Sequence, residues 1–158
     1  MDTTIMIMGV VILAIIAIPL YFVLRGHKID KKQIQALFEQ YSQGNRYQFQ
    51  LIATNNRKVL GVDPNKKGLL FIDFNLHEPF VTFQDLNQSE RCEVAISNAA
   101  GRSNLLEKVE WIFISKKAKA ATDSVVFHDA DRDYKVPVYA QEELLLAEQW
   151  KQKIQRFL

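Results

Sequence analysis

Only one cysteine, Cys92, stands in the 158 residues, which excludes an internal disulfide and agrees with a reducing compartment. Within RCEVAIS it alternates with charged and polar neighbours, so it is expected to pack as a small hydrophobe. Its distance from the N-terminus also excludes lipid attachment of the lipoprotein kind. An excess of one charge is missing too. Twenty Lys and Arg against 18 Asp and Glu leave a net charge of +2, which gives no nucleic-acid footprint. His27, His77 and His128 are too widely spaced for a local metal motif and have no cysteine partners. No G-x-S-x-G, phosphate-binding loop or G-x-G-x-x-G occurs.

Charge is absent altogether from Ile5 to Leu24, IMIMGVVILAIIAIPLYFVL. A helix of this length is roughly 30 Å long, the thickness of a bilayer's hydrocarbon core. A cleaved signal peptide needs a basic start, a shorter apolar core and small residues at its end. Met1-Asp2-Thr3-Thr4 and Leu20-Tyr21-Phe22-Val23-Leu24 supply none of these, so a retained single-pass anchor is predicted. Gly9 also lacks the Phe and Glu that follow it in a type IV pilin leader. Arg25, Lys28, Lys31 and Lys32 follow the run, whereas only Asp2 is charged before it. The positive-inside rule then puts the N-terminus outside and the remainder in the cytoplasm, at the inner (plasma) membrane. Tyr21 and Phe22 fall at the interface, and Pro19 is placed to kink the helix.

Residues 1–28 are thus read as the anchor, 29–45 as an amphipathic linker helix and 46–158 as one cytoplasmic domain. Asp30 is the expected N-cap of the linker helix, with Gln33 three residues on and Gly44 as its stop. Ile34, Leu37, Phe38 and Tyr41 make its apolar stripe, which is expected to pack on the domain rather than lie on the bilayer.

From Arg46 the period changes to two. RYQFQLIAT places Tyr47, Phe49, Leu51 and Ala53 on one face, and Asn55-Asn56 turns the chain into RKVLGVD. Pro64 to Gly68 loops into LLFIDF, and FVTFQDL and RCEVAIS follow. The strand around Val109, Trp111 and Phe113 is expected to be buried on both sides. SVVFHD and YKVPVY complete the strands, the latter confined to an edge by Pro137. A helix from about Ala140 to Leu158 then presents Leu144, Ala147, Trp150 and Ile154 on one side.

About seven antiparallel strands closed by one amphipathic helix resemble the pleckstrin-homology-like (PH-like) superfold, a bent barrel with a C-terminal capping helix. The run VLGVDPNKKGLLFID looks like the hairpin between the second and third strands of its bacterial members. AEQWKQKIQRFL, with Trp150 turned inward, looks like their capping helix. The resemblance covers Tyr47 to Leu158 and carries no signature motif. It implies a fold that is mainly β with helices, and recognition of a phosphoinositide, a peptide or a partner protein.

Candidate contacts to lipid or another anionic surface are Arg25, Lys28, Lys31, Lys32, Arg57, Lys58, Lys66, Lys67, Lys116, Lys117 and Lys119, since Lys supplies point charge for phosphates. Solvated turns are the commoner explanation of runs this short. His128-Asp129-Ala130-Asp131-Arg132-Asp133 copies the start of a calcium loop, but has Tyr134 and Ala140 where that loop needs Gly and Glu, so a polar hairpin turn is expected. Asn87-Gln88-Ser89 matches a glycosylation sequon on the cytoplasmic side. Asp73 and His77 border a loop without a third catalytic group. No catalytic, cofactor or metal residues are therefore assigned. The leading expectation is a membrane-tethered, non-catalytic binding or scaffold module with lipid bilayer and membrane-protein partners. The alternatives are an accessory subunit of a larger membrane complex, to which small residues such as Gly9, Ala14 and Ala17 would give close helix contact, and a hydrolase-type enzyme.

Overall fold

The structure, a computed structural model, describes Leu13 and residues 15–18, 29–98, 106–117, 121–133 and 140–158, without the side chains of 121–122. Most of the apolar run Ile5–Leu24, and with it the predicted anchor, lies outside these residues. Leu13 and residues 15–18 are helical, and Leu13, Ile15, Ile16 and Ile18 are exposed. No helix among the described residues is long and apolar enough to cross a membrane.

The chain forms an α+β fold of two antiparallel sheets and a C-terminal helix. Helix α1, Lys31–Gln40, leads into β1 (Gln50–Asn55), β2 (Lys58–Asp63), β3 (Gly68–Asp73) and β4 (Phe80–Asp85), paired in that order. A second sheet pairs β5 (Ser89–Asn98), β6 (Leu106–Ser115) and β7 (Ala121–Asp129). Short helix α2 (Ala130–Asp133) follows, then α3 (Ala140–Ile154) and a final 3-10 turn (Gln155–Phe157).

The expected barrel is not closed: among the described residues no ladder joins the two sheets. Side chains join them instead. Leu60, Val62, Leu69 and Phe71 of the first sheet meet Trp111, Phe113, Val125 and Phe127 of the second. Leu146, Ala147, Trp150 and Ile154 of α3 enter the same core, so the helix fills space that further strand pairing would have to occupy. Trp111 Nε1 donates to the carbonyl of Ala147 at 3.0 Å, which satisfies two buried polar groups at once. Burying each large apolar side chain here contributes about 1.5–3 kcal/mol.

Strands β2 and β3 are buried along their whole length because they are covered on both faces. Val59, Leu70 and Ile72 point to the outer face, where Ile34, Leu37, Phe38 and Tyr41 of the α1 region pack on them. The apolar stripe of the helix therefore docks on the sheet. Asp30 caps α1 by accepting from the Lys32 N–H at 3.0 Å, but the helix ends at Gln40, before Gly44. Gln43, Gly44 and Asn45 all have positive φ and turn the chain toward β1. Gly61 lies on the outer face directly under Phe38. A Cβ there would sit 2.6 Å from Phe38 Cζ, so the ring packs only against bare backbone.

The alternation expected from Tyr47 to Ala53 is broken. A bulge between Leu51 and Ala53 shifts the register against β2. Tyr47 and Phe49 join an outer aromatic group with Phe38 and Phe83, Ala53 joins the inner core, and Leu51 is left 46 % exposed. Strand β6 buries Val109, Trp111 and Phe113 fully, whereas Glu110, Ile112 and Ile114 are only half-buried. The segment YKVPVY, expected as a strand, lies outside the described residues. The acidic run before it forms α2 rather than a solvated hairpin turn, because Asp133 turns inward to meet His128.

Candidate functional site

Two features stand out beyond the apolar core: a closed ionic cluster and a set of open grooves around α1.

The cluster lies where β2, β3, β7, α2 and α3 meet. Lys58, at the start of β2, is fully buried and forms a 2.6 Å ion pair with Glu143 of α3. Its Nζ is 3.8 Å from Asp73 Oδ2 and 4.7 Å from the centre of the Phe127 ring. Asp73 Oδ2 is also 3.5 Å from the Arg132 guanidinium, which bonds Asp133 Oδ1 at 2.8 Å and lies over the Phe80 ring. Asp133 Oδ2 meets His128 Nδ1 at 2.9 Å and accepts from the Asp129 N–H. Burial acts to raise the Asp133 carboxyl, but the bonds from His128, Arg132 and the Asp129 backbone hold it well below its ordinary value.

This geometry corrects the placement of Lys58 among the surface contacts. It is a buried partner of two carboxylates, because β2 carries its side chain inward from the turn that leaves its neighbour Arg57 in solvent. Asp73 is likewise committed to the cluster, whereas His77 is exposed. None of the cluster side chains lines the grooves around α1. Such an arrangement is suited to clamping α3 to the sheet. Among the described residues, no group of three His, Cys, Asp or Glu side chains is placed to hold a metal ion. Burial pushes the Cys92 thiol up to about 12, which leaves it without thiolate chemistry near neutral pH.

The remaining cations fall into two groups at opposite ends of β2. At one end, Lys31 and Arg57 line the same groove, together with Ile29, Ile34, Leu51 and Thr54. Lys32 follows in the first turn of α1. At the other end, Asn87 joins two loops, donating to the Lys66 carbonyl at 2.9 Å and accepting from Lys116 Nζ at 3.3 Å. Lys117 is exposed beside it, and Lys67 Nζ is held by the Leu158 backbone oxygen at 2.8 Å. Asp63 organises the adjoining loop. Burial acts to raise its carboxyl, but the N–H groups of Gln48, Lys66 and Asn65 outweigh that and hold it below the ordinary range. Six residues of β2 separate the groups by roughly 20 Å, so one flat surface at the end of the sheet meets only one of them. Arg25, Lys28 and Lys119 lie outside the described residues.

The grooves flank α1. The larger, about 500 Å³, runs between the helix and the stretch Tyr47–Leu51, over Ile34, Phe38 and Phe49. Another, about 390 Å³, opens on the opposite side between Leu37 and the loop of Phe74, Leu76, His77 and Pro79, with Arg57 at its rim. The sequence did not mark these grooves, because they arise from α1 docking on a sheet distant from it in the chain.

Comparison with known proteins finds no matching family profile, no matching curated protein and no matching solved structure.

Proposed function

We propose that the chain is a membrane-tethered, non-catalytic binding module of PH-like architecture, which recognises a protein or peptide segment at the inner leaflet. One observation carries the reading: Lys31, Lys32 and Arg57 lie at the end of the sheet where Ile29 enters, and two of the three line apolar grooves there. A helix spanning Ile5–Leu24 would deliver that end to the membrane, with Arg25 and Lys28 between. Four strands followed by three strands and a capping helix support the PH-like assignment. The closed, mutually paired cluster around Lys58 supports a structural use of its charges over a catalytic one, since catalysis requires access to substrate.

The test is topology mapping of the full chain in its membrane. Single cysteines at Thr3 and Asn65 are probed with an impermeant maleimide in intact cells, with Cys92 as the buried reference. Labelling at position 3 and protection at position 65 are expected. Protection at position 3 together with labelling at position 65 sinks the proposed orientation. Exchange of Ile5–Leu24 for an unrelated anchor should leave partner recruitment intact, whereas loss of recruitment would indicate an accessory subunit that works through its helix.

A further inference from the structure

Strand β1 is an edge of the first sheet and, among the described residues, pairs with β2 alone. Edge strands are ordinarily guarded by charge or proline. The other edges comply: β4 carries Asp85, β5 carries Glu90, Arg91 and Glu93, and β7 carries Asp123 and Asp129. Strand β1 reads QLIATN, with no charge, no proline and no glycine. It also leaves Leu51 exposed beside the 500 Å³ groove floored by Ile34, Phe38 and Phe49. Among the described residues, an unpaired row of backbone donors and acceptors thus borders an apolar trough.

We infer that this edge receives an extended peptide as a fifth strand, antiparallel to β1. The peptide presents alternate apolar side chains to the trough and an Asp or Glu to Lys31 and Arg57. This names the partner chemistry of the binding module proposed above. Length sets the size of the segment: ten residues of α1 span about 15 Å, which four or five extended residues match. Charge sets its polarity. The cations Lys31 and Arg57 stand where β1 ends, with no acid paired to either among the described residues. Glu39 stands at the opposite end of the trough, near Tyr47 and Gln48. An antiparallel strand, the more stable pairing per residue, therefore begins with its acid and ends with a polar or basic residue. Backbone pairing supplies affinity and the alternate pockets supply selection. A second copy of β1 has no carboxylate to offer, so it fits less well.

The experiment selects a random decapeptide library on the full chain held in nanodiscs of neutral lipid. Enriched peptides should share an alternating apolar core with Asp or Glu on its N-terminal side. Leu51→Lys should weaken them at least about tenfold, because an apolar contact of the strand is lost. Lys31→Glu lies on the exposed helix face and should weaken them about tenfold, while a fresh selection on it shifts the consensus from acidic to basic at that one position. The inference is overturned by absence of enrichment, by peptides indifferent to both substitutions, or by a concentration-dependent dimer that Leu51→Lys abolishes without any peptide binding. Neutral lipid and direct binding keep this readout separate from orientation: a failed topology result leaves the peptide consensus standing, and the reverse holds equally.

Discussion

Lys58 and Glu143, 85 residues apart in sequence, close a 2.6 Å ion pair in the interior and so fasten the start of β2 to the first turn of α3. Desolvation of both charges is repaid only while each keeps its partners. Removing both should therefore cost less than the two single losses added together. Lys58→Met should destabilise the protein by about 3–5 kcal/mol, since Asp73 and Glu143 remain buried beside an apolar side chain. The double variant Lys58→Met/Glu143→Gln should lose less than the sum of the singles, with a coupling of about 0.5–3 kcal/mol. Urea unfolding followed by Trp111 and Trp150 fluorescence measures both; strict additivity would show that the pair is not coupled.

Asp133 gives the cluster a pH dependence of known sign. Its carboxyl is held below its ordinary value of 3.8 in the folded state, so the stability it contributes is fully present above that value. That stability disappears as pH falls through the depressed folded value. The urea midpoint of the wild type should therefore exceed that of Asp133→Asn at about pH 5. The margin should shrink steadily below pH 4. A margin that is unchanged down to pH 2 contradicts the assignment.

Cys92 reports unfolding. With its thiol pushed up to about 12 by burial, it should resist an aromatic disulfide reagent at pH 8 in the native protein and react promptly in urea. The labelling curve against urea should coincide with the fluorescence curve. Rapid native labelling would mean that β5 and the Gln155 end of α3 open locally, because the Cys92 N–H is held by Gln155 Oε1.

Gly61 and Phe38 provide a packing test. Gly61→Ala sets a methyl 2.6 Å from Phe38 Cζ and should cost about 1–3 kcal/mol. Adding Phe38→Leu should recover part of that loss. Amide exchange should quicken across residues 34–40 while β6 keeps its protection, which localises the damage to α1. Gly68→Ala should behave similarly through Tyr47, whose Cδ1 a Cβ would approach to 2.6 Å.

Local signals were the readable ones. Asp30 as a cap and the alternation of Val109, Trp111 and Phe113 each act over a few residues and appear where the chain indicated, and the turn expected at Asn55-Asn56 forms one residue later, at Asn56-Arg57. Asn56 and Arg57 take positive φ, as a two-residue hairpin turn demands. The turn residues thus mark the hairpin, but not the inward aim of Lys58 one step later. That aim depends on Glu143 and Asp73, which no periodicity connects to it. The bulge at Leu51 was hidden for a similar reason: it is a mismatch between β1 and β2, not a property of either segment. Asp133 read as one more acid in a polar run, and only the folded position of His128 makes it a buried anchor. The trough beside β1 needed α1 to be placed on the sheet, a contact between elements that the pattern of either leaves open.

Because α1 is locked onto Val59, Leu70 and Ile72, the freedom of the domain under the proposed tether is much smaller than the distance from Leu24 to Arg46 suggests. Ile29 packs on the same cluster, so only four residues, 25–28, stand between Leu24 and the docked chain, a stretch that could span at most about 14 Å if drawn straight. A partner would then meet a body held at nearly fixed height and tilt, like a latch on a short hinge. Inserting flexible residues before Ile29 would lower the encounter rate with a membrane-bound partner without altering any contact.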